Sequence, residues 1–315
     1  MIWLVRTLAA RSVSRRPAAI FALTVAATCW PLWTLLDTAN IEGLVAIILG
    51  AGLIAFVHRR WWLAATLIGI AGAMKIFPLI LLALLLSKRR YREFGGGIAV
   101  ALAVTVCSLA LLGPSIGEAQ RQINLGLRIV TTGDALAATS PGPDTNHSLY
   151  SVVRYAVLLA HHRHTHAADT NPSGTAAMLR PAYIAYLILG ALAGAAAYFL
   201  RIRRLPMLNQ MLALTVCAVT LPPLSRDYTL VHLLVPFGLL CVYATDSATN
   251  VVRQQGLGAS FVCLAFIFTA GTYFNIAYSL ASPLRALALL ILFIVALTHP
   301  FHARYLDEPG NAAIV

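Results

Sequence analysis

The chain has 315 residues, of which 59% are hydrophobic and only 11% charged, with a formal net charge of +12. A water-soluble domain carries about 25% charged residues, so too little polar surface is present to cover a soluble body. The basic residues sit mainly in short connections between apolar runs, the distribution of cytoplasmic loops, which argues for a membrane protein and against a nucleic-acid partner.

The first apolar run, Ala18–Leu36, follows Arg6, Arg11, Arg15 and Arg16, a flank that reads as a cytoplasmic anchor and not as a cleaved leader. It is predicted to run outward to a polar turn at Asp37–Asn40. Ile41–Val57 then returns to the basic cluster His58-Arg59-Arg60. The next stretch, Trp61–Leu86, ends at a second basic cluster, Lys88–Arg92, and a single crossing would leave one of the two clusters outside. A helical hairpin broken near Lys75 and Pro78 resolves this, since proline removes a backbone donor. Each arm of about 12 residues reaches about 18 Å, which is too short to span but suits a re-entrant pair buried among other helices.

Gly95–Gly113 is then expected to run outward, and residues 114–180 form an external region whose segment Ser148–Ala160 lies on the membrane surface as an interfacial helix. Pro181–Leu200 comes back to Arg201–Arg204. Pro206–Leu224, Thr229–Thr245, Leu257–Ser279 and Pro283–Pro300 complete the bundle, with outer turns at Pro222–Tyr228 and Leu280–Ser282 and an inner tail from His302. The expected fold is all-α: one polytopic transmembrane helix bundle over residues 1–315, of about eight crossings plus one re-entrant helical hairpin, with both termini cytoplasmic.

Ionisable groups at membrane depth are costly and mark function, and they cluster in a few places. Asp37, Asn40 and Glu42 form an outer turn that is either a capped helix start or an acid pair for base chemistry. Lys75 stands alone in an apolar stretch; it either snorkels or, at the hairpin tip, needs an anionic partner such as a lipid phosphate. Asn146-His147-Ser148 precedes Arg154, and Asn146 and Ser148 would cap the helix that follows. Pro222–Tyr228, with Arg226 and Asp227, is followed by His232, and Arg226 with His232 would suit a phosphate. The run His161–His166 lacks a regular helical pairing backed by a carboxylate, so no metal is expected. The five cysteines fall inside apolar runs and read as small hydrophobes.

Taken in order, Asp37-x-x-Asn40-Ile41-Glu42, Ala73–Pro78 leading into Lys88–Arg92, Asn146-His147-Ser148-Leu149 and Pro223–Tyr228 resemble glycosyltransferase family 87 over roughly Leu36 to Val235. The resemblance implies a GT-C-like membrane enzyme of the bacterial inner membrane. Such an enzyme moves a hexose, here expected to be mannose, from a polyprenyl-phosphate donor to a lipid-linked or cell-envelope glycan acceptor on the outer face. It inverts configuration and uses neither a nucleotide sugar nor a cofactor. The acceptor hydroxyl then needs a base, for which Asp37, Glu42 and Asp227 are candidates, and the departing phosphate needs cations. Lys75, Arg154, Arg226 and His232 are the expected phosphate ligands, with Asn40, Asn146, Ser148 and Tyr228 binding substrate. The family's N-terminal helix and Asp-bearing loop are expected to be missing ahead of Asp37. Two other readings stay open: a truncated or non-catalytic homologue, and a lipid-linked sugar transporter or flippase. The transporter predicts paired interrupted helices in two related halves, and only one break is legible.

Overall fold

A computed structural model describes residues 15–130, 146–164, 172–246, 251–270 and 278–303. Among them every regular element is helical, with one isolated antiparallel bridge between Asn146 and Arg226. The order begins α1 (Arg15–Thr28), α2 (Trp30–Asp37), α3 (Glu42–Val57) and α4 (Trp61–Met74). A 3₁₀ turn at Phe77–Leu82 leads into α5 (Ala83–Ser87), α6 (Tyr91–Leu112) and α7 (Ile116–Val130). Then come α8 (Leu149–His164), α9 (Pro172–Leu200), a short 3₁₀ turn at Ile202–Arg204 and α10 (Met207–Thr220). A longer 3₁₀ segment, Asp227–Leu233, feeds α11 (Leu234–Asp246), followed by α12 (Val251–Phe268) and α13 (Tyr278–Thr298).

Tyr91–Leu112, Leu179–Arg204 and Asp227–Thr245 are long and apolar enough to cross a bilayer, and the bent pair α1–α2 adds a fourth if it counts as one span. Only 11% and 6% of the first two is buried inside the protein, against 72% of the third. The first two therefore lie on the outside of the bundle, and the third is interior. The remaining apolar helices, α3, α4 and α10 among them, are shorter than a full span.

The bend of 56° between α1 and α2 splits the single helix expected over Ala18–Leu36. Pro31 lies in the first turn of α2 and has no N–H to give to the preceding turn. The Ala27 carbonyl released by this accepts the Trp33 indole N–H at 2.8 Å instead.

Trp61–Arg90 folds back on itself. Residues flanking Gly97 include both Ala65 and Leu82, and Leu79 packs on Gly72. At the open end the Arg90 guanidinium lies 5.3 Å over the Trp61 ring, so the two basic clusters share one side. Glycine permits the close packing behind this hairpin, as in membrane helix pairs generally. A Cβ on Gly69 would stand 2.4 Å from the Gly97 carbonyl of α6, so α4 and α6 touch backbone to backbone there.

At the centre lies α10, nearly all of whose side chains are buried. Its Asn209 amide donates to the Ala296 and His299 carbonyls at 2.7 and 2.8 Å and accepts the Phe301 N–H at 2.6 Å, tying the end of α13 to the core.

Several boundaries move. The stretch 114–180, expected to be an external region, is largely helical among the described residues, through α7, α8 and the start of α9, which runs through Pro181. Leu280–Ser282 is not a turn but part of α13; Pro283 close to its start costs one backbone bond and leaves the helix intact. Arg6 and Arg11, His166 and the tail beyond residue 303 lie outside the described residues.

Candidate functional site

Glu42 opens α3, where the helix dipole favours a carboxylate. The Asn40 side chain holds the turn by accepting the Glu42 N–H at 3.0 Å. The Glu42 side chain is fully buried and is met by two basic groups. Lys75 leaves α4 in an extended conformation at the hairpin tip and pairs its Nζ with Glu42 Oε2. His232, on the Asp227–Leu233 segment, places Nε2 at 2.5 Å from Oε1. The Phe77 ring packs edge-on against His232 at 5.0 Å, and Lys75 Nζ also stands 5.5 Å from the Tyr228 ring centroid. A buried carboxylate is tolerable only when so paired.

Asp227 is the centre of a second cluster. Its Oδ2 accepts the Trp30 indole N–H at 2.8 Å, and its Oδ1 lies 2.5 Å from the Arg285 guanidinium and 3.7 Å from His147 Nδ1. Trp30 comes from the start of α2, just past the break, and Arg285 from α13. Three remote stretches of chain thus converge on one carboxylate.

Asn146-His147-Ser148 fastens α8 to the same place. Asn146 Oδ1 accepts the backbone N–H of Ser148 at 3.1 Å and of Ser225 at 2.9 Å, while its amide donates to the Pro223 carbonyl at 3.0 Å. Ser148 Oγ donates to that carbonyl at 2.9 Å and caps α8 by accepting the Ser151 N–H at 3.2 Å. His147 Nε2 lies 2.9 Å from Ser225 Oγ and 3.4 Å from Thr229 Oγ1.

A cavity of about 380 Å³ opens beside these groups, lined on its polar side by Lys75, Ser225, Arg226, Tyr228 and Thr229. Phe77, Ala218, Val219 and Leu224 supply an apolar wall. Of the residues singled out in the sequence, Lys75, Arg226 and Tyr228 therefore share one cavity. Glu42, His232, Asp227, Asn146 and Ser148 are buried in its surroundings. Asp37 is exposed at the end of α2. Arg154 is buried on α8, one turn beyond Tyr150, and is not a lining residue. Tyr150 belongs to a small aromatic cluster with Tyr183 and Tyr186.

Trp30, Ser225, Thr229 and Arg285 join the site without having been singled out for it, and His147 enters as more than part of a motif. Arg285 was detectable, as a lone charge at the start of the apolar run Pro283–Pro300, by the rule that singled out Lys75. Trp30 carries no such signal.

These features define a helical membrane protein with paired ionic clusters beside an amphipathic cavity. The chain belongs to glycosyltransferase family 87, whose family model matches residues 1–225. No curated protein and no solved structure matches it. The matched stretch includes the residues ahead of Leu36 and stops before Asp227, so the partners His232 and Arg285 come from beyond it. Family membership makes the general chemistry glycosyl transfer by a membrane protein, with a sugar donor and a glycan acceptor.

Proposed function

We propose that this chain transfers a hexose, mannose in the first instance, from a polyprenyl-phosphate donor to a lipid-linked or cell-envelope glycan on the outer face of the inner membrane. The observation that carries the reading is that Lys75, Arg226 and Tyr228, from two distant stretches, line one cavity whose other wall is apolar. That is the chemistry of a lipid-phosphate sugar. Cations hold the phosphate through charge-assisted bonds, an aromatic ring takes a sugar face, and the apolar wall takes the first carbons of the chain. The volume lies in the range of small-ligand sites, so the rest of the lipid would leave the cavity sideways into the bilayer. When the sugar–phosphate bond breaks, the charge on the leaving phosphate grows, and Lys75 and Arg226 offset it.

The wider frame is a GT-C-type bundle of about eight crossings with Trp61–Ser87 as a re-entrant hairpin, Lys75 at its outer tip and both termini cytoplasmic. The shared side of the two basic clusters supports it.

The test uses purified protein in proteoliposomes with radiolabelled polyprenyl-phosphate mannose and, separately, a nucleotide-activated mannose. Transfer is expected from the lipid donor alone. A charge-assisted hydrogen bond contributes about 1.5–3 kcal/mol, so Arg226→Ala and Lys75→Gln should each raise the donor KM by about tenfold or more. Transfer from the nucleotide sugar, or an unchanged donor KM in both variants, would overturn the proposal.

A further inference from the structure

Both buried carboxylates near the cavity have each oxygen already engaged: Glu42 has one on His232 and the other on Lys75, and Asp227 has Arg285 on one and the Trp30 indole on the other. Neither carboxylate lines the cavity. His232 turns its Nε2 to Glu42 and does not line the cavity. Another proton path is present. Ser225 and Thr229 stand in the cavity wall, and both hydroxyls lie against the ring nitrogen Nε2 of His147.

The proton assignment along this path is constrained. Thr229 donates its single hydroxyl proton to the Arg226 carbonyl at 2.8 Å. Ser225 Oγ lies 2.9 Å from both Thr229 Oγ1 and His147 Nε2, so its proton reaches Nε2 when the hydroxyl turns from Thr229 to the ring. Asp227 Oδ1 lies 3.7 Å from Nδ1, beyond hydrogen-bonding distance but near enough for its charge to favour a proton on Nδ1, which leaves the lone pair on Nε2. An imidazolium formed there would be stabilised by the same carboxylate, which Arg285 and Trp30 hold in place.

We propose that Ser225 and His147 form the proton relay of the transfer reaction, with Asp227 as the positioning residue behind them; this rests on the sugar-transfer reading above. The acceptor hydroxyl gives its proton to Ser225 Oγ as Ser225 gives its own to His147 Nε2. The acceptor oxygen forms a bond to the anomeric carbon, and the bond from that carbon to the phosphate oxygen breaks. The bonding pair leaves with the phosphate, beside Lys75 and Arg226. The proton held on His147 is released to water, by way of Ser225, after the products depart.

The experiment measures kcat and donor KM in proteoliposomes for Ser225→Ala, Ser225→Thr and His147→Gln, with thermal unfolding of each variant to establish that it folds. General acid–base groups contribute about 10²–10⁴-fold. Ser225→Ala and His147→Gln should therefore lose kcat by about a hundredfold or more with donor KM unchanged, and Ser225→Thr should restore much of it. Arg226→Ala, by contrast, moves KM. A folded Ser225→Ala with wild-type kcat overturns the relay even if His147→Gln fails to fold. Equal loss in Ser225→Ala and Ser225→Thr also overturns it, since a purely structural gap would not be repaired by a hydroxyl. Wild-type protein that transfers no sugar from a lipid donor sinks both the reading and the relay, whereas active wild type with unaffected variants sinks the relay alone.

Discussion

Glu42 and His232 lie 190 positions apart in the chain and meet at 2.5 Å, Oε1 to Nε2, inside a fully buried contact that Lys75 completes. Removing the carboxylate leaves two basic groups facing each other without compensation, and breaking a buried pair costs about 3–5 kcal/mol. Glu42→Gln should therefore lower the unfolding midpoint in detergent micelles markedly, and His232→Gln less so. Because the groups share a contact, the double variant should cost less than the two single losses added together. Strict additivity would show that the contact contributes nothing.

Arg285 and Asp227 form the companion pair, with both side chains buried. Arg285→Met strands the Asp227 carboxylate and should destabilise by about 3–5 kcal/mol, while adding Asp227→Leu should recover part of that loss. Both figures are read from denaturant unfolding. An Arg285→Met protein as stable as wild type would mean that Asp227 does not depend on it.

Packing of α4 on α6 depends on missing side chains. Gly69→Ala puts a methyl group 2.4 Å from the Gly97 carbonyl, which must shift. Overpacking of this kind costs about 1–3 kcal/mol. Gly95 is also helical, but nothing lies within 4 Å of its added Cβ. Gly95→Ala should be neutral or stabilising by about 0.5–1 kcal/mol. Opposite signs for the two alanines, read from thermal unfolding, are the expected result.

Asn146 satisfies two backbone N–H groups and one carbonyl at once. Asn146→Ala leaves them without these bonds and should cost about 1–3 kcal/mol. Because these bonds anchor the start of α8, limited proteolysis should cleave near Leu149 sooner in the variant than in wild type. Identical digestion patterns would show that α8 is held by other contacts.

Topology is testable through the hairpin. Arg59→Cys and Lys88→Cys, in a background where the exposed Cys107 is replaced by serine, should react with a membrane-impermeant thiol reagent from the same side of sealed vesicles. Asp37→Cys should react from the other side. Labelling of positions 59 and 88 from opposite sides would make Trp61–Ser87 a crossing and remove Lys75 from an outer tip.

Hydropathy and charge placement alone determined much of this protein. Eleven per cent charge cannot cover a soluble surface, so a helical membrane body was legible at once. The fold-back of Trp61–Arg90 was legible too, from two basic clusters flanking a proline-broken run. A lone charge in an apolar stretch pointed to Lys75, and polar turns between apolar helices pointed to Glu42, Arg226, Asp227 and His232, since burial of a charge demands a partner.

Which partner each charge takes was decided only by the tertiary structure. Hydropathy is a local property of a few turns, whereas the pairs Glu42–His232 and Asp227–Arg285 are made by segments far apart in the chain that pack together. The bend at Cys29 that delivers Trp30 to Asp227, the central place of α10, and the meeting of His147 with Ser225 have the same origin. Spacing along a sequence carries no record of which buried groups end up within hydrogen-bonding distance; the packing of complementary helix faces supplies it.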